Sequence, residues 1–172
     1  MRMLKAGGVP LVVDELRVAD EDNPHGYFEF TPVKALNKPG DKSWLAQARG
    51  KAIKIISYLL PHLPDDYSYK IIFLKRRLPE VLASQRKMVE RLGTQTAPPS
   101  DEALAATFSA HLARVQEQLA ARAGCEVLYV DHRRAIEAPI EVASAIRDFL
   151  GEALDVAAMA GEIDTSLHRN RA

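Results

Sequence analysis

Short apolar runs recur along the chain, separated by polar stretches and by longer segments in which apolar residues return every three or four positions. Val9 to Val13 is the first such run, and Ala52 to Ser57 the second, rich in β-branched residues. Tyr69 to Leu74 and Val127 to Val130 complete the set. Ile71, Ile72, Phe73 and Leu74 leave no polar alternation, which predicts a strand covered on both faces, as in parallel sheets. Between the runs, Leu104, Phe108, Leu112, Val115 and Leu119 keep the four-and-three spacing of one helical face. Ser100 stands where a cap belongs, after a break from Gly93 to Pro99. A helix is predicted from Pro79 to Leu92, with Val81, Met88 and Leu92 on its stripe, and another from Pro139 to Leu150, closed by Gly151. Met1 to Ala6 reads as a short helix stopped by Gly7 and Gly8, and Thr31-Pro32 as the opening of another. Strands alternating with helices predict an α/β fold, a mostly parallel sheet flanked by helices, in one domain over residues 1–172.

Composition narrows the function classes. Lys plus Arg and Asp plus Glu each number 23, so the chain carries no net charge. A nucleic-acid partner is disfavoured, because phosphate-backbone binding needs a basic excess. A small anion needs only a local cluster. One cysteine, Cys125, allows neither an internal disulfide nor a cysteine metal cluster, and fits a reducing, cytoplasmic compartment. No apolar run nears the roughly 20 residues of a membrane span. The histidines, His25, His62, His111, His132 and His168, are scattered and suggest no metal.

Candidate chemistry gathers after the run Tyr69 to Leu74. Lys75, Arg76 and Arg77 fall at its carboxyl end, where open α/β sheets bind ligands. They are either a solvated basic turn or an anion site. Ser84, three residues after Val81, falls on the inward stripe of the next helix. Its hydroxyl either returns a bond to the carbonyl four residues back or faces a ligand.

The segment Phe73-Leu74-Lys75-Arg76-Arg77-Leu78-Pro79-Glu80-Val81-Leu82-Ala83-Ser84 resembles the 3′-phosphate-binding segment of sulfotransferases, in which a strand ends in an arginine and a serine follows eight positions later. Asn23-Pro24-His25-Gly26-Tyr27-Phe28-Glu29 is similar to a stretch of the bacterial members, as are Gly50 to Ser57, Ala83 to Met88, Phe149-Leu150-Gly151 and the ending Leu167 to Arg171. The resemblance covers nearly the whole chain. It implies a three-layer sandwich like that of P-loop NTPases. The co-substrate is 3′-phosphoadenosine 5′-phosphosulfate (PAPS), without a metal, and its 3′-phosphate is held by Arg76, Ser84, Arg169 and Arg171. The two terminal arginines are equally read as a basic tail.

Family members open with a strand and a loop like Gly-x-Pro-Arg-Ser-Gly-Thr whose N–H groups hold the 5′-phosphosulfate. Here the sequence begins inside the following helix, at Met1-Arg2-Met3-Leu4. The expectation is therefore a sulfotransferase-like sheet with its central first strand missing, through either a start assigned at an internal methionine or a truly shortened protein, and no sulfonate transfer by these 172 residues. Lys54 is the candidate for stabilising the donor and Glu29 an acceptor-side carboxylate, with Asp14 and Glu15 as competitors. Animal members place a histidine base two positions after the strand lysine; here that position is Ile56, with His62 beyond it. The acceptor is a small molecule of unassigned class, and a homo-oligomer is compatible with the sequence. The rival reading is a non-catalytic binding or interaction protein that keeps only the 3′-phosphate half-site.

Overall fold

A computed structural model describes residues 1–14, 16–17, 19–20, 23–83, 86 and 100–164. Its centre is a pair of parallel strands, β1 (Tyr69–Lys75) and β2 (Cys125–Asp131), in register from Tyr69 opposite Cys125 to Lys75 opposite Asp131. Side chains alternate between faces along a strand. Tyr69, Ile71, Phe73, Cys125 and Val127 enter one core, built with Leu36, Leu45, Leu59, Leu60, Val115 and Leu119. Ile72, Leu128 and Val130 enter a second, with Val142, Ala143, Ile146 and Met159. Burial on both sides explains the apolar run of β1 as far as Phe73; Leu74 was expected to be covered too but is 55% exposed. The architecture is mixed α/β, a two-stranded parallel sheet flanked by helices.

The first two apolar runs are not ladders. Val9 to Val13 meets the second run at one parallel bridge, Leu11 with Ala52. Ala52 N–H donates to Pro10 O at 2.8 Å and Val12 N–H to Ala52 O at 2.9 Å. Pro10 has no N–H to extend the pairing, and Asp14 N–H already turns to Glu29 O. Ile53 and Ile55 nevertheless pack on the same core as Ile71 and Phe73.

Around the sheet lie α1 (Arg2–Ala6), a 3₁₀ turn over Thr31–Ala35, α2 (Trp44–Gln47), a second 3₁₀ turn over Ser57–His62, and α3, helical over residues 78–83 and at 86. Then come α4 (Asp101–Ala120), α5 (His132–Glu137), α6 (Pro139–Leu150) and α7 (Val156–Gly161). Ser100 caps α4 by accepting from Ala103 N–H, and Val115 and Leu119 are its most buried residues. Asp131 and Asp155 cap α5 and α7 in the same way. At the end of α6, Gly151 adopts φ 73°, and Lys70 Nζ donates to the orphan carbonyls of Phe149 and Leu150 at 2.7 and 3.0 Å. The helix α7 is too short for a periodic signature and was not predicted. It holds α1 in place: fully buried Met159 lies so near Gly7 that a Cβ there would come within 2.6 Å of its Cγ. Arg2 Nε also meets Glu162 at 2.7 Å.

Among the described residues, no helix is long and apolar enough to cross a membrane.

Candidate functional site

Both strands end at the same level, so the carboxyl edge of the sheet gathers Lys75, Arg76 and Arg77 from β1 and Asp131, His132, Arg133 and Arg134 from β2. The cations of the β2 side are engaged. Arg133 Nε bonds Glu137 Oε1 at 2.6 Å, and this bond and its charge, helped by Asp131 and Glu80, raise the arginine further. Arg134 Nη2 bonds Glu141 Oε2 at 2.5 Å, beside a shallow cavity of about 220 Å³. Lys75 Nζ sits 4.3 Å above the Tyr129 ring.

Arg76 is held in the same i,i+4 manner as Arg133, but by a buried carboxylate in place of an exposed one. Its Nε donates to Glu80 Oε2 at 3.1 Å, one helical turn on, in an i,i+4 pair. Glu80 is 3% exposed and is the only buried charged or polar residue among those described. The Arg76 side chain remains 30% exposed. The guanidinium is therefore anchored through Nε at the rim of the sheet. Glu80 was passed over in the sequence, although its four-residue spacing from Arg76 was a usable signal. Beside α3 and the start of α4 opens a cleft of about 350 Å³ lined by Pro79, Leu82, Ala83, Arg86, Asp101, Glu102 and Ala105. Across it Arg86 pairs with Asp101. Ser84, Arg169 and Arg171 lie outside the described residues.

Lys54 and Glu29 form a second cluster, in and around the loop from Asp14 to Thr31. Lys54 Nζ donates to Tyr27 O at 2.8 Å and sits 5.9 Å from the centre of that ring. Burial holds its ammonium below the usual lysine range; Glu29 opposes this and Arg17 adds to it. Glu29 accepts from Arg17 Nη1 at 3.0 Å and Lys34 Nζ at 3.1 Å. Burial would raise its carboxyl, but the bonds and charges of Lys34 and Arg17 outweigh this, and the group lies below the ordinary carboxylate range. Such a carboxylate is a poor proton acceptor. Arg17 stacks 3.3 Å over the Tyr27 ring, while Tyr27 Oη donates to Asp20 at 2.8 and 2.7 Å. Asp14, the competing acid, accepts from Thr31 N–H at 2.5 Å and Leu16 N–H at 3.3 Å, bonds that lower its carboxyl. Gly26 turns the loop at φ 84°, and Phe28 holds φ 51°, a conformation that costs a non-glycine residue of order 1 kcal/mol.

A pair the sequence reading missed lies after Ile56. Ser57 Oγ and His111 Nε2 are 3.1 Å apart, and Tyr58 leans on both His111 and His62 at 6.1 and 6.4 Å between ring centres. His111 lies three residues after Phe108 and four before Val115, on the inward stripe of α4, and that spacing was the available signal. His25 Nε2 stands 3.3 Å from Asp164, joining the Asn23 to Gly26 turn to the end of the described chain. Burial pushes the Cys125 thiol up, away from thiolate reactivity. Among the described residues no group of three His, Cys, Asp or Glu could hold a metal ion. Comparison with protein-family models, with curated proteins and with solved structures gave no match.

Proposed function

We propose that this chain is a sulfotransferase-like domain of the P-loop NTPase-like, three-layer type, in which Arg76 receives the 3′-phosphate of PAPS or of its desulfonated product, adenosine 3′,5′-bisphosphate. One observation carries the reading: at the carboxyl end of a parallel strand, a partly exposed guanidinium is anchored through Nε on a buried carboxylate, Glu80. Its Nη edge suits a phosphate dianion. There are two separate parallel pairings, Leu11 with Ala52 and β1 with β2, and Ile53 and Ile55, next to the first, share a core with Ile71 and Phe73, as expected of a sheet short of its central strand. The head of α1 lies close enough to Lys54 for their charges to interact, which is where a donor loop leading into α1 would meet a cation.

Sulfonate transfer on this reading forms a bond between the acceptor oxygen and sulfur and breaks the sulfur–oxygen bond to the 5′-phosphate. The acceptor's proton leaves to a base, and charge on the transferred group and leaving oxygen is met by cations. Lys54 is the cation proposed for the donor. The family's loop for the 5′-phosphosulfate has no counterpart in residues 1–172, so these residues alone are expected to transfer no sulfonate. A specific observation favours the second reading, a non-catalytic nucleotide-binding or interaction protein: Glu29 and Lys54 are committed to neighbours in the loop. Titration calorimetry with adenosine 3′,5′-bisphosphate on the wild type and Arg76→Ala tests the shared half-site. Weak binding lost in the variant is expected; equal heats from the two would end the reading.

A further inference from the structure

We propose that Glu80 is a positioning residue that orients Arg76 toward the phosphate of a nucleotide at the carboxyl end of β1. This rests on the 3′-phosphate reading of Arg76 and adds to it the residue that makes the arginine competent. A carboxylate excluded from water is costly unless paired, and Glu80, 3% exposed, is the one charged side chain buried in this way among the described residues. It sits at the root of a partly exposed arginine. Its Oε2 takes the Nε proton of Arg76 at 3.1 Å, and Arg133 lies close enough to feel the same charge.

The point of attachment matters. A guanidinium held by both Nη groups is used up as an anion receptor. One held at Nε has its plane fixed and keeps the two-pronged Nη edge for a second anion. Arginine loses considerable rotamer freedom when it binds a ligand. A buried carboxylate that has already taken up part of that loss lowers the cost of binding. The cations nearby differ: Arg134 meets Glu141 through Nη2, and Arg133, though also held at Nε, is held by an exposed glutamate that fixes its plane less firmly than a buried one.

The test uses adenosine 3′-monophosphate as probe, with adenosine as the control lacking the phosphate. The Glu80→Gln variant keeps the volume and loses the charge. Its affinity for the probe should fall roughly tenfold, the scale of one charge-assisted hydrogen bond, while any affinity for adenosine stays the same. Proton–nitrogen spectra of the arginine Nε–H groups supply a readout that bulk stability does not move. The Arg76 signal, identified by its loss in Arg76→Lys, should be downfield and protected in the wild type and lost in Glu80→Gln. Equal probe affinity in Glu80→Gln and wild type would overturn the positioning role and leave the 3′-phosphate reading standing. Absence of probe binding by the wild type would overturn both. Should Glu80→Gln not fold, titrating the wild type still decides: the Nε–H signal must persist in the bound state. Its disappearance on binding would show Arg76 leaving Glu80 to reach the ligand, against the proposal.

Discussion

At the end of β1 one guanidinium is held from behind by a carboxylate that is itself buried; around the Asp14 to Thr31 loop the charges of Asp14, Arg17, Glu29 and Lys54 are met by partners within the loop or next to it. Among the described residues Arg76 has one side-chain partner, Glu80, and it remains 30% exposed. Glu29 has two cations, Tyr27 is met by Arg17 on its face and Asp20 at its hydroxyl, and Lys54 is tied to a backbone carbonyl. Both regions are rich in the residue types used for catalysis and anion binding. What separates them is saturation. A charge closed on all sides stabilises a loop, whereas a charge anchored on one side offers the other to a ligand. Perturbed acidity does not separate them, since Lys54 is shifted by burial and Glu29, against its burial, by the cations that occupy it.

The sharpest way to break this contrast is Arg76→Ala. It should abolish detectable binding of adenosine 3′,5′-bisphosphate and also destabilise the fold by about 2 kcal/mol, since Glu80 loses a charged partner while buried. Urea unfolding and calorimetry on one preparation give both numbers. A loss of binding without loss of stability would show that Glu80 does not depend on Arg76 for its burial, and the anchoring of one by the other would fall.

Next in size is Lys54→Met, which keeps the stem and removes the ammonium from Tyr27 O. The loop should loosen by about 1 kcal/mol, read as faster native-state amide exchange between residues 23 and 30 with little change in the melting temperature. Single truncations of Arg17 or Lys34 should cost less, about 0.5 kcal/mol each, because each ion pair is partly solvated and Glu29 keeps the other cation. If either cost several kcal/mol, the loop would be a buried network and the contrast would need redrawing.

The pH dependence is smallest. Glu29 and Asp14 have folded pKa values below their unfolded ones, so their stabilisation is full above the unfolded values, near 4, and is lost as pH falls through the folded ones. Lys54, lowered by burial, acts at the other end: stability rises with pH from its folded value up to the unfolded one, near 10.4. Tyr69 works against it. Burial pushes the phenol up to about 12, and its hydroxyl donates to Pro64 O at 2.8 Å. Above pH about 10 the unfolded phenol ionises first and stability falls. Thermal melts of the wild type and Tyr69→Phe between pH 9 and 12 should diverge on that account, the variant losing less.

Much of the scaffold was legible because it depends on local rules. Ser100, Asp131 and Gly151 stand at helix ends for reasons of hydrogen bonding and backbone conformation that operate within four residues. The run Ile71 to Leu74 predicted a sheet covered on both faces, and the two cores meet Ile71, Ile72 and Phe73, while Leu74 at the strand end stays exposed. The Val9 to Val13 and Ala52 to Ser57 runs are as apolar as strands but pair only once, since a ladder needs a neighbour at the right distance and hydropathy does not supply one.

The candidate chemistry divides along the same line. The cluster Lys75-Arg76-Arg77 at a strand end was visible in the order of residues, because strand direction and the turn that follows are local. The importance of Glu80 was not: a glutamate four residues after an arginine is usually a solvated partner, and its burial exists only in the folded chain. Ser57 and His111 are 54 positions apart, and their 3.1 Å approach exists only because the long helix α4 lies across the Ser57–His62 turn. Residue types and their spacing were sufficient to say which side chains carry charge and where the helices cap. Which charges are saturated and which are left open depends on distances across the fold, set when the two faces of the sheet are buried.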